Sequence, residues 1–250
     1  MQQLTVTIVI PLRNEAGNVE AIFQRTPEMG AGTELLFVEG GSTDGTYETV
    51  QRAIAAHPHR KTALYRQGGR GKGDAVRLGF DKATGDVLMI LDADLTVPPE
   101  DLPQFYDALV QDRGGLINGA RMVHPMEKGA MRLLNYLGNR FFAWRMSRII
   151  GQRVQDTLCG TKVIRKVDYE RLKAARPYPD DFDMFGDFDL IFGAARLGLK
   201  IFDLPIHYRR RTYGKTNIHR WQVAWRLTRM LRTLRKLWKE NRSSFLDPRS

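Results

Sequence analysis

Leu88-Met89-Ile90-Leu91-Asp92-Ala93-Asp94 decides the fold, because a continuous apolar run ends there in two carboxylates separated by one residue. Such runs are typical of strands buried in a parallel sheet, whose carboxyl ends meet ligands in a crevice. Side chains alternate along a strand, so Asp92 and Asp94 are expected to point the same way unless the chain turns between them. The pair would then suit one hard cation together with phosphate oxygens. A helix-capping turn explains a lone Asp-x-Asp equally well, so the neighbouring sequence decides.

Strand-like and helix-like segments alternate on both sides of this run, which is itself predicted to be a strand over Val87–Leu91. Further strands are predicted at Thr5–Leu12, Leu35–Val38, Thr62–Tyr65, Gly115–Gly119 and Ile201–Pro205. Helical periodicity predicts helices at Asn18–Arg25, Asp74–Ala83, Glu100–Gln111, Ala130–Ile150, Asp183–Leu197 and Ile218–Glu240. Repeated βα units with short loops predict an α/β fold with a mostly parallel central sheet flanked by helices.

The composition is that of an ordinary globular protein, and 250 residues can bury one sizeable core. Cys159 is the one cysteine, so no internal disulfide can form and a reducing compartment is favoured. No apolar leader precedes the first strand and no run of about 18 uncharged apolar residues occurs, so neither a signal peptide nor a membrane-spanning helix is expected. These features predict a cytoplasmic chain.

The formal net charge of +11 is concentrated near the C-terminus. Between Tyr208 and Arg242 there are 12 Lys or Arg residues and one acid, Glu240, and the rest of the chain is neutral overall. Such a field attracts nucleic acid, anionic lipid headgroups or phosphorylated substrates, and charge alone does not distinguish among them.

Two common nucleotide-binding motifs are missing from the sequence. The glycine-rich stretch Gly68–Gly73 has no Ser or Thr after Lys72, which a P-loop requires, and the first βα turn contains no G-x-G-x-x-G. What remains is a sheet whose successive carboxyl ends carry Glu15, Glu39, Lys72 and the Asp92/Asp94 pair.

Four ordered motifs resemble those of family 2 glycosyltransferases, most closely the dolichyl-phosphate mannosyltransferase branch and its bacterial polyprenyl-phosphate relatives. The motifs are Ile8-Val9-Ile10-Pro11-Leu12-Arg13-Asn14-Glu15, Val38-Glu39-Gly40-Gly41-Ser42-Thr43-Asp44-Gly45-Thr46, Gly71-Lys72-Gly73-Asp74-Ala75 and Leu91-Asp92-Ala93-Asp94. The resemblance implies a GT-A fold, a UDP- or GDP-sugar donor, Mg²⁺ or Mn²⁺ as cofactor, and inversion at the anomeric carbon. The implied organisation is a GT-A domain over 1–217, a basic amphipathic helix over 218–240 and a loose tail over 241–250.

The resemblance also implies a donor site, carried over residue by residue to Pro11, Asn14, Glu15, Glu39, Lys72, Asp92 and Ala93. Within it Lys72 would meet phosphate, and Asp94 would bind the metal together with Asp92. The family's usual Asp-Asp-Gly-Ser turn is Glu39-Gly40-Gly41-Ser42 in this chain, so one carboxylate is longer and the next is absent.

The resemblance also implies six positions that concern the acceptor and the leaving group. Gly186-Asp187-Phe188-Asp189-Leu190 resembles the family's Glu-Asp-x-Asp-Leu segment, which makes Asp187 the candidate general base for an alcohol acceptor. Arg211 and Lys215 would stabilise the departing diphosphate. The acceptor phosphate would meet Arg121, Lys128 and Arg132.

The C-terminal helix predicted over Ile218–Glu240 has a broad apolar face and a basic face. This composition is typical of an interfacial membrane helix, although such a stripe also packs on its own domain or on a second subunit. We therefore expect a chain that is peripheral on the cytoplasmic face of a membrane, with a lipid acceptor and possible homo-oligomerisation.

The leading hypothesis is an inverting, metal-dependent glycosyltransferase that uses a polyprenyl phosphate or another membrane lipid as acceptor. A soluble or non-phosphate alcohol acceptor is the alternative within the same chemistry. A sugar-nucleotide-binding protein without catalysis is also consistent with the motifs. A basic nucleic-acid-binding module is the most distant alternative, because it leaves the acidic residues at the strand ends unexplained; no nucleic-acid partner is expected.

Overall fold

The computed structural model describes residues 3–123, 133–179, 182–211, 213 and 220–245. In these residues a seven-stranded sheet has the order β3-β2-β1-β4-β6-β5-β7. The strands are β1 Val6–Leu12, β2 Thr33–Glu39, β3 Lys61–Arg66, β4 Val87–Ile90, β5 Leu116–Ala120, β6 Lys162–Arg165 and β7 Ile201–Pro205. The helices are α1 Val19–Arg25, α2 Thr46–Ala56, α3 Lys72–Lys82, α4 Leu102–Val110, α5 Leu133–Ile150, α6 Lys166–Ala174, α7 Asp187–Arg196 and α8 Arg220–Phe245.

The sheet is mostly parallel, as predicted, and one strand is reversed. β6 pairs antiparallel with both β4 and β5, whereas the other pairings are parallel. The sequence analysis did not identify β6 or the helix α6 that follows it. Lys162-Val163-Ile164-Arg165 has only two apolar residues between basic ones, which is too short a run for the strand pattern to stand out.

Two apolar layers cover the two faces of the sheet. Helices α1, α2 and α4 enclose one layer around Ile8, Phe37 and Phe105, and helices α3, α5, α6, α7 and α8 contribute to the other. Strands β1, β2 and β4 are buried along nearly their whole length, because helices cover both sides of them. Their carboxyl ends lie side by side at one edge of the sheet.

The apolar face of α8 packs on its own domain. Leu227, Leu231 and Leu234 are almost fully buried in the same layer as α7, and the Trp238 ring meets the Phe192 ring edge-on with centroids 5.8 Å apart. This face is therefore not available to lipid, which corrects the expectation that the apolar side of 218–240 lies on a membrane. The basic side remains exposed, and the helix continues past the predicted end at residue 240 to Phe245.

Within the described ranges, no helix combines the length and the apolar character needed to cross a bilayer.

Candidate active site

The loops after β1 and β2 hold each other in place at the edge where the strands end. Asn14 adopts a left-handed backbone with φ 58°, a conformation that asparagine tolerates well. Its backbone N–H donates to Ser42 Oγ at 2.9 Å, and its side-chain oxygen accepts from the Thr43 N–H at 2.8 Å. The buried Glu39 carboxylate accepts the Ser42 N–H. Asn14 and Glu39 therefore shape this side of the crevice, and their predicted contact with a nucleotide stays a prediction.

Arg211 joins two of the predicted carboxylates, one from the loop after β1 and one from the loop after β4. Its guanidinium donates to Glu15 Oε1 at 2.9 Å and to Asp94 Oδ2 at 2.6 Å. Burial raises the pKa of Glu15; the Arg211 charge opposes that rise and the Asp94 charge adds to it. The structure thus brings together three residues that the resemblance assigned to the donor, the metal and the diphosphate.

Asp92 and Asp94 have different partners, because the chain turns directly after β4. The Leu95 N–H donates to the Asp92 carbonyl at 3.1 Å, and Asp94 Oδ1 accepts from the Thr96 hydroxyl at 2.8 Å. The part of the chain that the structure describes contains no cluster of three or more acidic, His or Cys side chains arranged for a metal ion. A cation shared by both carboxylates would compete with their present side-chain partners, which are Lys72 for Asp92 and Thr96 and Arg211 for Asp94. Ala93 between them is buried, and Pro11 lies partly buried in β1.

Lys72, at the start of α3, forms an ion pair with Asp92. The Lys72 Nζ lies 2.5 Å from Asp92 Oδ1. Burial alone would raise the pKa of Asp92, but the charge and hydrogen bond of Lys72, together with the Lys162 and Arg121 charges, hold the pKa below its usual range. A Cβ on Gly160 would lie 2.1 Å from both the Lys72 amine and Asp92 Oδ2, so any larger residue there would displace the ends of these two side chains.

Asp187, the predicted base, is paired with a buried lysine that the sequence analysis did not assign. Lys162 Nζ donates to Asp187 Oδ1 at 2.9 Å, and the two side chains are 0% and 6% exposed. Lys162 also donates to the Cys159 carbonyl. The reversed strand β6 begins with Lys162 at the edge where its neighbours end, which brings this lysine to the site. Since β6 itself was not predicted, no sequence signal placed Lys162 at the site.

Asp183 holds the beginning of α7 and lies beside Asp187. It accepts the backbone N–H groups of Phe185, Phe188 and Asp189 at 2.8 to 2.9 Å. Burial, followed by the nearby Asp187 charge, raises the pKa of Asp183 to about 6. Gly186 has φ 77° and contacts Gly73 of α3, so glycine replaces the family's glutamate where the backbone is left-handed and closely packed. Sequence reasoning missed Asp183.

Arg121, a predicted acceptor residue, is held by a buried carboxylate. Its guanidinium donates to the two oxygens of Asp156 at 2.7 and 2.9 Å, and Asn139 of α5 donates to the same carboxylate at 2.6 Å. Burial alone would raise the pKa of Asp156, but the charge and hydrogen bonds of Arg121, together with the Asn139 hydrogen bond, lower it to about 2. Lys128, Arg132 and Lys215 lie outside the described residues. Cys159 is buried and burial raises the pKa of its thiol to about 12, which fits a packing role.

The site as a whole is a strip of alternating charges along the ends of the strands. Lys72, Lys162 and Arg121 all act electrostatically on Asp92, so these cations lie close together. Each cation in this strip has a carboxylate partner within the protein. An incoming diphosphate or phosphate would therefore compete with these carboxylates for the lysine and arginine side chains. A divalent cation could take the place of the Arg211 guanidinium at Asp94.

Comparisons with known protein sequences identify relatives of this chain. The sequence model of Glycosyl transferase family 2 matches residues 7–172. The undecaprenyl-phosphate 4-deoxy-4-formamido-L-arabinose transferase of Edwardsiella ictaluri is 30% identical over 166 residues, covering 64% of this chain and 49% of that protein. The dolichol-phosphate mannosyltransferase of Pyrococcus furiosus is 33% identical over 122 residues, covering 48% and 34%. The chain spans about half the length of the Edwardsiella ictaluri protein and about a third of the Pyrococcus furiosus protein.

Solved structures share the fold over most of the chain. The glucosyl-3-phosphoglycerate synthase of Mycobacterium tuberculosis, in complex with Mn²⁺, UDP-glucose and glycerol 3-phosphate, matches with a TM-score of 0.67 at 19% identity, covering 92% of this chain and 80% of that one. A mannosyltransferase of Pyrobaculum calidifontis with GDP-Man and Mn²⁺ matches with a TM-score of 0.61 at 20% identity, covering 90% and 61%. The predicted GT-A fold is confirmed. The chain belongs to glycosyl transferase family 2.

Proposed function

We propose that this chain is an inverting, metal-dependent glycosyltransferase that moves a sugar from a UDP- or GDP-sugar to a polyprenyl phosphate or another membrane lipid. Family membership supports the reaction type. The lipid-phosphate acceptors named for the relatives from Edwardsiella ictaluri and Pyrococcus furiosus support the acceptor class. Because those acceptors are membrane lipids, the same names support a peripheral position on a membrane, and the cytoplasmic face is part of our proposal.

The donor and the metal fit the Glu15, Asp94 and Arg211 cluster. Mg²⁺ and Mn²⁺ in nucleotide sites need only one or two protein carboxylates, because phosphate oxygens and water complete the coordination. Asp94, with Glu15 beside it, would hold the cation, which would supply charge neutralisation to the diphosphate. Arg211 would then leave the two carboxylates and donate to the departing phosphate oxygens.

The buried Lys162–Asp187 pair is the observation that carries the phosphate acceptor. An alcohol acceptor needs its proton removed during attack, but the Asp187 carboxylate is 6% exposed and one of its oxygens already accepts from a buried ammonium at 2.9 Å. A phosphate acceptor is already ionised at neutral pH and needs no base. The Lys162–Asp187 pair therefore favours a phosphate acceptor over an alcohol acceptor. The role of Asp187 would then be to hold the Lys162 ammonium in place beside the acceptor.

The test combines nucleotide binding with transfer. Calorimetric titration with UDP and GDP, with and without Mn²⁺, is expected to show metal-dependent binding of one nucleotide that Asp94→Ala loses. Transfer of labelled sugar is then measured to undecaprenyl phosphate and to water-soluble alcohols. Transfer to the alcohols alone, abolished in Asp187→Asn, would establish the alternative acceptor, and nucleotide binding with no transfer to any acceptor would contradict the enzymatic proposal.

A further inference from the structure

Helix α5 has an apolar face on each side, and one of them is exposed. Phe142, Met146 and Ile149 are buried in the layer that covers the sheet. On the other side Leu134, Leu137, Phe141 and Trp144, here called the α5 stripe, are 70%, 53%, 51% and 49% exposed. These are four of the eight large apolar side chains exposed among the described residues. A concentration of this kind on one helix marks a surface that meets an apolar partner.

The α5 stripe is continuous and has arginines at its edges. At about 100° per residue its four members fall within an arc of roughly 80° on the helix surface. Arg140 lies on one flank of the arc, Arg145 on the other, and Arg148 continues it toward the end of the helix. The guanidinium carbons of Arg145 and Arg148 lie 6.0 and 5.1 Å from the Trp144 ring centroid. No acidic residue occurs between Glu127 and Asp156.

The neighbouring helix α8 extends the positive charge. It packs against α5, and its outward side carries exposed basic residues: Arg226, Arg229, Arg232, Arg235, Lys236 and Lys239. Trp225 is 65% exposed among them, with the Arg229 guanidinium carbon 5.8 Å from its ring centroid. Exposed tryptophan and leucine beside arginine are the composition of a surface that enters the headgroup region of a bilayer.

Charge complementarity selects one occupant for this surface. A second copy of the chain would cover the α5 stripe but would bring the arginines of both copies together, at a cost in repulsion. Nucleic acid would satisfy the arginines and leave Leu134, Leu137 and Phe141 without an apolar partner. An anionic bilayer satisfies both, because acyl chains receive the apolar side chains and lipid phosphates receive the guanidinium groups.

The buried side of α5 connects the stripe to the predicted acceptor residue. Asn139 projects inward from the same helix and donates to Asp156, which holds Arg121. The α5 stripe and Asn139 therefore lie on opposite sides of the same helix. Through Asn139 and Asp156, this helix contacts the surroundings of Arg121, the side chain expected to meet the acceptor phosphate. A lipid-linked phosphate whose chain remains in the bilayer would have a short path to that position.

We propose that the α5 stripe inserts into the headgroup boundary of an anionic membrane, with Arg140, Arg145 and Arg148 on lipid phosphates. The proposal rests on the lipid-acceptor part of the proposed function and transfers membrane contact from the apolar face of α8 to α5. Binding is expected to depend on both the apolar side chains and the anionic lipid, and to weaken as salt is added.

The experiment is co-sedimentation of the protein with vesicles of phosphatidylcholine, with and without phosphatidylglycerol, in the absence of donor and acceptor. The wild-type chain is expected to bind the phosphatidylglycerol vesicles, and Leu137→Glu/Phe141→Glu to bind them at least about tenfold more weakly. Val167→Glu is the matched control, because Val167 is 63% exposed on α6, away from the stripe, and it should bind as the wild type does. Circular dichroism and nucleotide titration confirm that each variant is folded.

Absence of wild-type binding to the anionic vesicles would overturn the proposal, as would equal loss in the Val167→Glu control. Analytical ultracentrifugation tests whether a second copy of the chain covers the stripe instead. If the wild-type chain forms a dimer that Phe141→Glu dissociates, and does not bind vesicles, the stripe would be assigned to self-association. Because no sugar nucleotide is present, failure here leaves the proposed transfer reaction standing. If the chain binds vesicles but transfers no sugar to undecaprenyl phosphate, the membrane-binding proposal would be supported and the proposed acceptor would be wrong.

Discussion

Replacing Lys162 with methionine is expected to lower the free energy of unfolding by about 3–5 kcal/mol. Lys162 and Asp187 are 0% and 6% exposed and 2.9 Å apart, so the substitution leaves a buried carboxylate without its counter-charge. Asp183 already lies close enough to Asp187 for its charge to be felt, and without Lys162 the repulsion between the two carboxylates would be less well compensated. For a chain of this size the loss corresponds to a fall in Tm of about 6–20 °C.

The assay is a double-mutant cycle followed by urea unfolding and circular dichroism. Lys162→Met and Asp187→Leu should each be costly, and the double variant should recover most of the loss because no buried charge remains. Lys173→Met is a matched control, since its pair with Asp81 is 44% and 35% exposed and is expected to contribute little. A loss of under about 1 kcal/mol in Lys162→Met, or a double variant equal to the sum of the singles, would refute the reasoning.

Three other predictions concern the charges and the close packing of the site. Arg211→Ala should weaken metal-dependent binding of UDP or GDP at least about tenfold while raising the affinity for Mn²⁺ alone, measured by calorimetry, because the guanidinium no longer neutralises Glu15 and Asp94; unchanged Mn²⁺ affinity would contradict this. Because the folded pKa of Asp183 is about 6, above its ordinary value, its contribution to stability is present at low pH and is lost as pH rises to that value. Asp183→Asn should therefore reduce the pH dependence of the urea midpoint of unfolding between about pH 4 and 6. An unchanged slope would contradict a raised pKa for the buried Asp183 carboxyl group. Gly160→Ala should separate Lys72 from its carboxylate and reduce nucleotide binding without loss of fold; full binding would show that the loop accommodates a Cβ.

The Glu15 and Asp94 part of the site, which we propose binds the donor, could be located from the sequence because it is made from consecutive strand ends. Glu15 and Asp94 follow apolar runs that are easily recognised, and parallel strands bring their ends to one edge. Their link through Arg211 depends on a residue far along the chain. No local pattern predicts which cation meets which carboxylate.

The Lys162 and Asp187 part of the site, which we propose faces the acceptor, was harder to predict because it depends on a short reversed strand. Lys162 opens β6, which has too few apolar residues to be recognised, so its pair with Asp187 became visible only in three dimensions. Helix α5 shows a related limit: apolar residues on both sides weaken the amphipathic signal, whereas α8 has a clear one that is satisfied inside the protein. Periodicity indicates which residues are apolar and does not indicate what covers them.

The reversed direction of β6 has a consequence for how this scaffold can diversify. β5 ends and β6 begins at the same rim, with Asn118 opposite Lys162, so the whole excursion between them leaves and re-enters the sheet beside the ligand crevice. Insertions or exchanges within that excursion would alter what reaches the crevice while strand pairing stays intact. In this way a common framework could acquire new acceptors by exchange of the single segment between β5 and β6.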